Sequence, residues 1–408
     1  MPQSTSDGDV ARNSGNGVTL YDVASLAGVS TATVSRVVHG MDRVKDSTRA
    51  RVLEVIEQLG YVPDSAAQSL SRRRKDVIGL VCVERTWAKQ YDIESMSLLF
   101  YDEILRGVES RIRDRNWSLL ITYLEESPEP DLRRLLSLSG KVDGMLIGEG
   151  IVPSQFLARL AERLPVVVIA GNPREKAVDV VTADNRSGSF ALASHLISEH
   201  GRKRFYYVDG PSSAPDAVER RRGLTQALRD HPDCQVIGGS QGLFSVGSGE
   251  EAGQQLLASG SLPDAVICAN DQMAIGVLQA FARAGVAVPR EVAVVGFDDI
   301  FPGSLCDPAL TTIHQPMRLL GERACTRLLD RIARPALRPK VELLPTELVL
   351  RSSCGCPPGT MIRQPVQRQP VQRQSGQRQS GQRQPVQRQS GQRDRASQAP
   401  RLAVAGTS

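Results

Sequence analysis

The spacing of apolar positions changes character along the chain, and each change predicts a different kind of element. Between Val18 and His39 the apolar residues recur at helical spacing: Leu20, Val23, Ala24 and Ala27, then Val34, Val37 and Val38. Thr19-x-x-Asp22 is a capping-box pattern for the first helix. Gly28 ends that helix, because glycine takes the left-handed conformation a sharp exit needs. Ser30 is an N-cap for a second helix, Thr31 to His39. A third helix opens at Asp46 or Ser47, buries Val52, Leu53, Ile56 and Leu59, and stops at Gly60. The second helix leaves Thr31, Ala32, Thr33, Ser35 and Arg36 outward. Short side chains plus one long cation on the first turns suit a helix that lies in a DNA major groove. An ordinary helical hairpin with a solvated face is the alternative.

From Val77 short aliphatic runs alternate with helical patterns, which predicts a parallel sheet with crossover helices. Strands are expected at Val77–Val83, Leu119–Tyr123, Gly144–Gly148, Pro165–Ala170 and 178–183. Helices are expected at Phe100–Arg115, Asp131–Leu138 and Gln155–Arg163. A second set follows, with helices at 187–200, 216–230, 248–258 and 271–284 and strands at 204–209, 235–238, 265–268 and 291–296. Two such sets in series predict two lobes, with a ligand cleft at the carboxyl ends of the strands.

Residues 64–71 lie between these regions and can form only about two turns of helix, too short to be stable alone in water. They are expected to fold on DNA, with Arg72–Lys75 adding phosphate attraction. The net charge of +5 hides an uneven distribution. Segment 359–408 carries nine Arg and one Asp, which leaves 41 basic against 44 acidic residues in 1–358. Residues 364–393 are six Gln/Arg pentapeptides, QPVQR or QSGQR, with too little apolar content to build a core. They read either as a non-specific DNA arm or as an inert expansion, and they lack the apolar heptads of a tetramerising coiled coil.

The chemistry expected of the chain is binding, not catalysis. There is no P-loop, no G-x-S-x-G and no H-E-x-x-H, and the five His are dispersed. Cys354-Gly355-Cys356 is the one close pair among seven cysteines. No His or second pair matches it in sequence, so no metal site and no cofactor are expected, and His195 reads as structural. No apolar run approaches the ~18 residues of a membrane span. The polar first 17 residues carry no signal-peptide pattern, so the expected location is cytoplasmic, on the nucleoid.

The stretches YDVASLAGVSTATVSRVVHG, TRARVLEVIEQLGYVP and AAQSL resemble the headpiece and hinge of the LacI/GalR family of bacterial transcription regulators. The resemblance implies that Thr31 and Ala32 read bases, while Thr19, Tyr21, Ser30, Thr33, Ser35 and Arg36 engage the backbone and assist. His39, Ala67 and Leu70 complete the expected DNA-binding set, with Leu70 as a minor-groove wedge. His39 and Asp64 stand where the family usually has Asn.

Further along, DNRSG (184–188), ASHL (193–196), RRRG (220–223), CANDQMAIGVLQA (268–280), VAVVGFDD (292–299), LTTIHQPM (310–317) and LPTELVLR (344–351) resemble the family's regulatory core, itself similar to periplasmic sugar-binding proteins. The resemblance implies three crossings between lobes, with 77–175 and 303–335 in the lobe nearer DNA, and 176–302 with 340–353 in the other. It also implies Arg220, Asn270 and Asp298 as effector-binding residues, Phe244 as a pocket aromatic, and Phe100 and Tyr101 as further candidates. Each aromatic reads equally as core, and Arg220 with Asp298 reads alternatively as a structural ion pair.

The expected fold is an all-α helix-turn-helix headpiece (18–62), a hinge (63–76), an α/β two-lobed periplasmic-binding-protein-like core (77–353) and a disordered tail (354–408), behind a disordered extension (1–17). The expected function is a transcriptional repressor that binds a palindromic DNA operator as a homodimer and responds to a small-molecule effector, a sugar or a nucleoside-like compound. A solute-binding protein and an architectural DNA protein are the readings it must exclude.

Overall fold

The computed structural model describes residues 18–38, 44–62, 74–84, 94–125, 132–148 and 152–368. The headpiece consists of α1 (Leu20–Leu26), α2 (Thr31–Val38) and α3 (Asp46–Leu59). Thr19 closes a full capping box on α1: its backbone N donates to Asp22 Oδ2 at 2.8 Å, and Asp22 N donates back to Thr19 Oγ1 at 3.4 Å. Gly28 sits at φ 61°, where a side chain would be strained. Ser30 Oγ accepts from Thr33 N at 3.2 Å and starts α2. Val23, Val34 and Val52, one from each helix, are fully buried against one another's neighbours in a small aliphatic core. Two expectations for α3 need correction. Asp46 and Ser47 lie inside the helix, and its cap is Lys45, which makes no side-chain bond. The buried stripe also runs through Val52 and Val55, leaving Leu53 50% exposed.

In chain order the core continues with β1 (Val77–Glu84), α4 (Glu94–Ile112), β2 (Ser118–Glu125), α5 (Leu132–Ser139), β3 (Gly144–Gly148), α6 (Ser154–Ala161), β4 (Val166–Ile169) and β5 (Asp179–Ala183). Next come α7 (Asn185–Ser198), β6 (Arg204–Asp209), α8 (Pro215–Asp230), β7 (Gln235–Gln241), α9 (Val246–Ala258), β8 (Ala265–Cys268), α10 (Asp271–Arg283) and β9 (Ala293–Val295). The last elements are α11 (Phe301–Ser304), β10 (Thr312–His314), α12 (Met317–Ala333), β11 (Val341–Leu344), β12 (Glu347–Leu350) and β13 (Ile362–Pro365). Helix α4 starts six residues before the predicted Phe100.

Six parallel strands in the order β11-β5-β4-β3-β1-β2 form the first lobe. Four parallel strands in the order β7-β6-β8-β9 form the second, with a three-stranded antiparallel sheet β10-β12-β13 beside it. Single bridges, Val295 to Thr311 and Asp298 to His314, join β9's exit to β10. The chain passes between lobes after β5, between β10 and α12, and between β11 and β12.

These crossings correct the expected partition. Residues 179–183 and 341–344 belong to the first lobe, because β5 and β11 pair within its sheet. Leu310 and Ile313 belong to the second, buried with Phe297 and Leu348. The folded chain also continues beyond 353: β13 adds antiparallel to β12, so the first Gln/Arg pentapeptide begins inside a strand. Val246, Ile275 and Ile300 of the second lobe are buried with Ile104 and Met317 of the first, so apolar contact connects the two.

Candidate functional site

The outer face of α2 carries exposed Ala32 and Arg36, with Thr31, Thr33 and Ser35 half-buried beside them and Val34 and Val37 on the opposite side. Its first turn holds no acidic residue, so the partial positive charge of the helix N-terminus is left for an anion. Ser30 and Thr33 share a hydrogen bond of 2.9 Å between their hydroxyls, and the Thr19 hydroxyl donates to Asp22 at 2.7 Å. These polar groups are thus fixed in place rather than free rotors. Tyr21 is 76% exposed at the start of α1. His39, Ala67 and Leu70, with the rest of 63–73, lie outside the described residues.

In the core, four of the six candidate effector residues converge. Arg220 on α8 is 3% exposed. Its Nε donates to Asn185 Oδ1 at 2.8 Å and its Nη1 to the Ala269 carbonyl at 2.5 Å. Its Nη2 reaches Gln315 Oε1 at 3.3 Å and lies 3.1 Å from Asp298 Oδ1. The guanidinium stacks 3.8 Å from the centroid of Phe297 and stands 5.9 Å from that of Phe244. Gly210 makes room for Phe244, because a Cβ there would fall within the ring's contact distance. Asn270 caps α10 through Met273 N at 3.0 Å and donates to the Phe244 carbonyl at 3.3 Å, so it fixes the aromatic's loop to the helix.

Burial pushes the Asp298 carboxyl well above the ordinary carboxylate range. Asp271 and Asp216 add to that push, and Arg220 opposes it. Asp299, next in the chain, goes the other way. Burial alone would raise it, but hydrogen bonds from His314 (3.1 Å) and Arg351 (2.5 Å), with the charges of Arg351 and Arg363, overrule burial and hold its pKa low.

Phe100 and Tyr101 take a different place. They pack edge to face, 5.3 Å apart, on the first lobe's core, and Tyr101 lies over the Gly148 end of β3. Sequence reasoning missed Asn185, Asp216, Phe297 and Gln315. Asn185 joins the set by holding both Arg220 and Asp216, donating to Asp216 Oδ1 at 2.8 Å. Asp216 sits one turn before Arg220 on α8, a spacing that could have suggested it. Asn185 and Gln315 lay within family-like motifs without being singled out. Among the described residues, the buried atoms Gln315 Nε2 and Asp298 Oδ1 have no hydrogen-bond partner. Both side chains also line a cavity of about 570 Å³ that opens between the lobes toward Asp102 and Met317.

A helix-turn-helix headpiece on a two-lobed α/β core with such a site defines a DNA-binding regulator of the effector-responsive kind. Residues 19–64 match the model of bacterial regulatory proteins of the lacI family, and residues 193–354 match that of the periplasmic binding protein-like domain. The chain belongs to the lacI family. It is 34% identical over 335 residues to the ribose operon repressor of Escherichia coli, covering 80% of this chain and 97% of that one. It is 32% identical over 340 residues to the HTH-type transcriptional repressor PurR of Mannheimia succiniciproducens, covering 82% and 98%. The fold matches the crystal structure of the lac repressor dimer bound to operator and the anti-inducer ONPF, with a TM-score of 0.73 at 29% identity over 83% of this chain and 99% of that one. These relatives are repressors, and among the described residues no helix is long and apolar enough to cross a membrane.

Proposed function

We propose that the chain represses transcription from a two-fold operator as a homodimer, in the cytoplasm on the nucleoid, and that a small polyhydroxylated effector, a sugar or nucleoside, binds at Arg220. Thr31, Ala32 and Arg36 contact bases and phosphates from α2. Exposed Phe301 and Leu305, at 72% and 70%, offer the core apolar surface for pairing. The DNA-binding half of the proposal is supported by the headpiece and the family. The effector half rests on one observation: a buried guanidinium clamped under two aromatic rings, beside two buried polar atoms that have no partner among the described residues. Vicinal hydroxyls would satisfy Gln315 Nε2 and Asp298 Oδ1 together, which an apolar ligand could not do.

Calorimetric titration with a panel of sugars, starting with ribose and cellobiose, and of nucleosides tests the site. The ligand that binds should lose roughly 10- to 100-fold in affinity in Arg220→Lys, which keeps the charge but not the planar fork. An undiminished affinity would remove Arg220 from the site.

A further inference from the structure

Cys354 and Cys356, a pair without a sequence neighbour to match it, lie against two histidines more than 150 residues earlier in the chain. His195 is on α7 and His200 just beyond its end. Their Nε2 atoms face each other at 3.1 Å. Cys354 Sγ is 3.7 Å from His195 Nε2, and Cys356 Sγ is 3.7 Å from His195 Nε2 and 3.6 Å from His200 Nε2. All four donor atoms fall within 4.8 Å of one another. A tetrahedral Zn²⁺ with the usual bond lengths, ~2.3 Å to sulfur and ~2.0 Å to nitrogen, sets edges of ~3.3 Å between nitrogens and ~3.6 Å between sulfur and nitrogen. The cluster matches that frame. We propose that His195, His200, Cys354 and Cys356 form a structural Zn²⁺ site that fastens the end of α7 to the turn after β12.

Four features support the assignment. The His spacing, with four residues between, falls in the range of structural zinc sites. Gly355 lets two cysteines only one residue apart point at one centre: its φ is 118°, and a Cβ there would stand 3.0 Å from His200 Nδ1. Thr311 Oγ1 lies 3.2 Å from Cys354 Sγ and can donate to a thiolate. The charges also balance, since two thiolates and two neutral imidazoles neutralise a divalent cation in a half-buried place. Without the ion every ligand is pressed into its neutral form. Burial, with His200, lowers His195 to about 4, and burial, with the neighbouring Cys354, raises Cys356 to about 12. Binding therefore releases two thiol protons. A disulfide between the cysteines would leave the two imidazoles unexplained, and all seven cysteines are free thiols. A cavity of about 800 Å³ beside the cluster, lined by Ser194, Glu199 and Pro357, gives the ion a way in.

The test uses the full chain without a histidine tag, purified from zinc-supplemented cells. Elemental analysis should find about one Zn²⁺ per chain. Co²⁺ added to the reduced, metal-free protein should give the ligand-field bands of a tetrahedral ion with thiolate-to-metal charge transfer, and chelation should lower the melting temperature. Cys356→Ser and His200→Asn alter half-exposed ligands, so the fold should survive by circular dichroism while metal content falls below about a tenth. Co²⁺ uptake no greater than in these two variants, or an octahedral spectrum without charge transfer, would overturn the proposal.

Discussion

Asp298 and Asp299 are adjacent carboxylates with opposite protonation preferences, and the difference lies in their partners. Asp298 shares one guanidinium with Asp216 inside the protein, whereas Asp299 has His314, Arg351 and Arg363 to itself. The folded pKa of Asp298 lies above the unfolded value of ~3.9, so the stability it contributes is fully present below that value and is lost as pH rises through the folded pKa. The folded pKa of Asp299 lies below it, so its contribution is present above ~3.9 and is lost as pH falls through the folded pKa. Urea unfolding across pH should therefore separate the two. Asp299→Asn should lower stability at neutral pH and flatten the acid limb. Asp298→Asn should flatten the decline toward alkaline pH. A steeper alkaline decline in Asp298→Asn would contradict the assignment. Arg220, Asn270 and Asp298 were legible in the sequence because each sits in a family-like motif. The metal ligands were not, because nothing local joins His195 to Cys354; only the packing of α7 against the turn after β12 brings them together.

At the scale of elements, Asp179 shows how a single carboxylate can fasten three of them. It opens β5 and is fully buried, and its oxygens accept from Arg327 Nε at 2.8 Å, from Arg331 Nε and from the backbone N of Lys340 at 2.8 Å. It thereby ties β5 to α12 and to the chain entering β11. Asp179→Ala would leave two guanidinium groups against an apolar sheet edge and should cost about 3–5 kcal/mol. Asp330→Ala, which breaks an exposed pair with Arg334 on the same helix, should stay within about 1 kcal/mol. Equal losses in denaturant unfolding would mean the Asp179 hub does not hold these elements. Elements read most faithfully from sequence were the buried parallel strands: Gly144–Gly148, Arg204–Asp209 and Ala265–Cys268 carry the bounds their aliphatic runs predict. Less legible were features set by partners. The buried stripe of α3 includes Val55 rather than Leu53 because α1 and α2 decide which face is covered. The lobe crossings depend on strand pairing, which no local pattern encodes.

For the whole molecule, the account joins a DNA-reading helix to a core that holds an effector, and linkage requires each to change the other's affinity by the same factor. A headpiece this small places few side chains on DNA, so specific recognition needs two copies and a two-fold site. The Arg-bearing pentapeptides can add salt-sensitive affinity but no sequence information. The most direct measurement is selection of genomic fragments by the purified full chain at near-physiological salt, repeated with Arg36→Ala and with a chain ending at residue 368. The account predicts enrichment of one short two-fold sequence that is lost in Arg36→Ala and kept without the tail. Diffuse binding that survives Arg36→Ala and disappears with the tail would contradict it, and would make this chain a general DNA binder rather than a reader of operators.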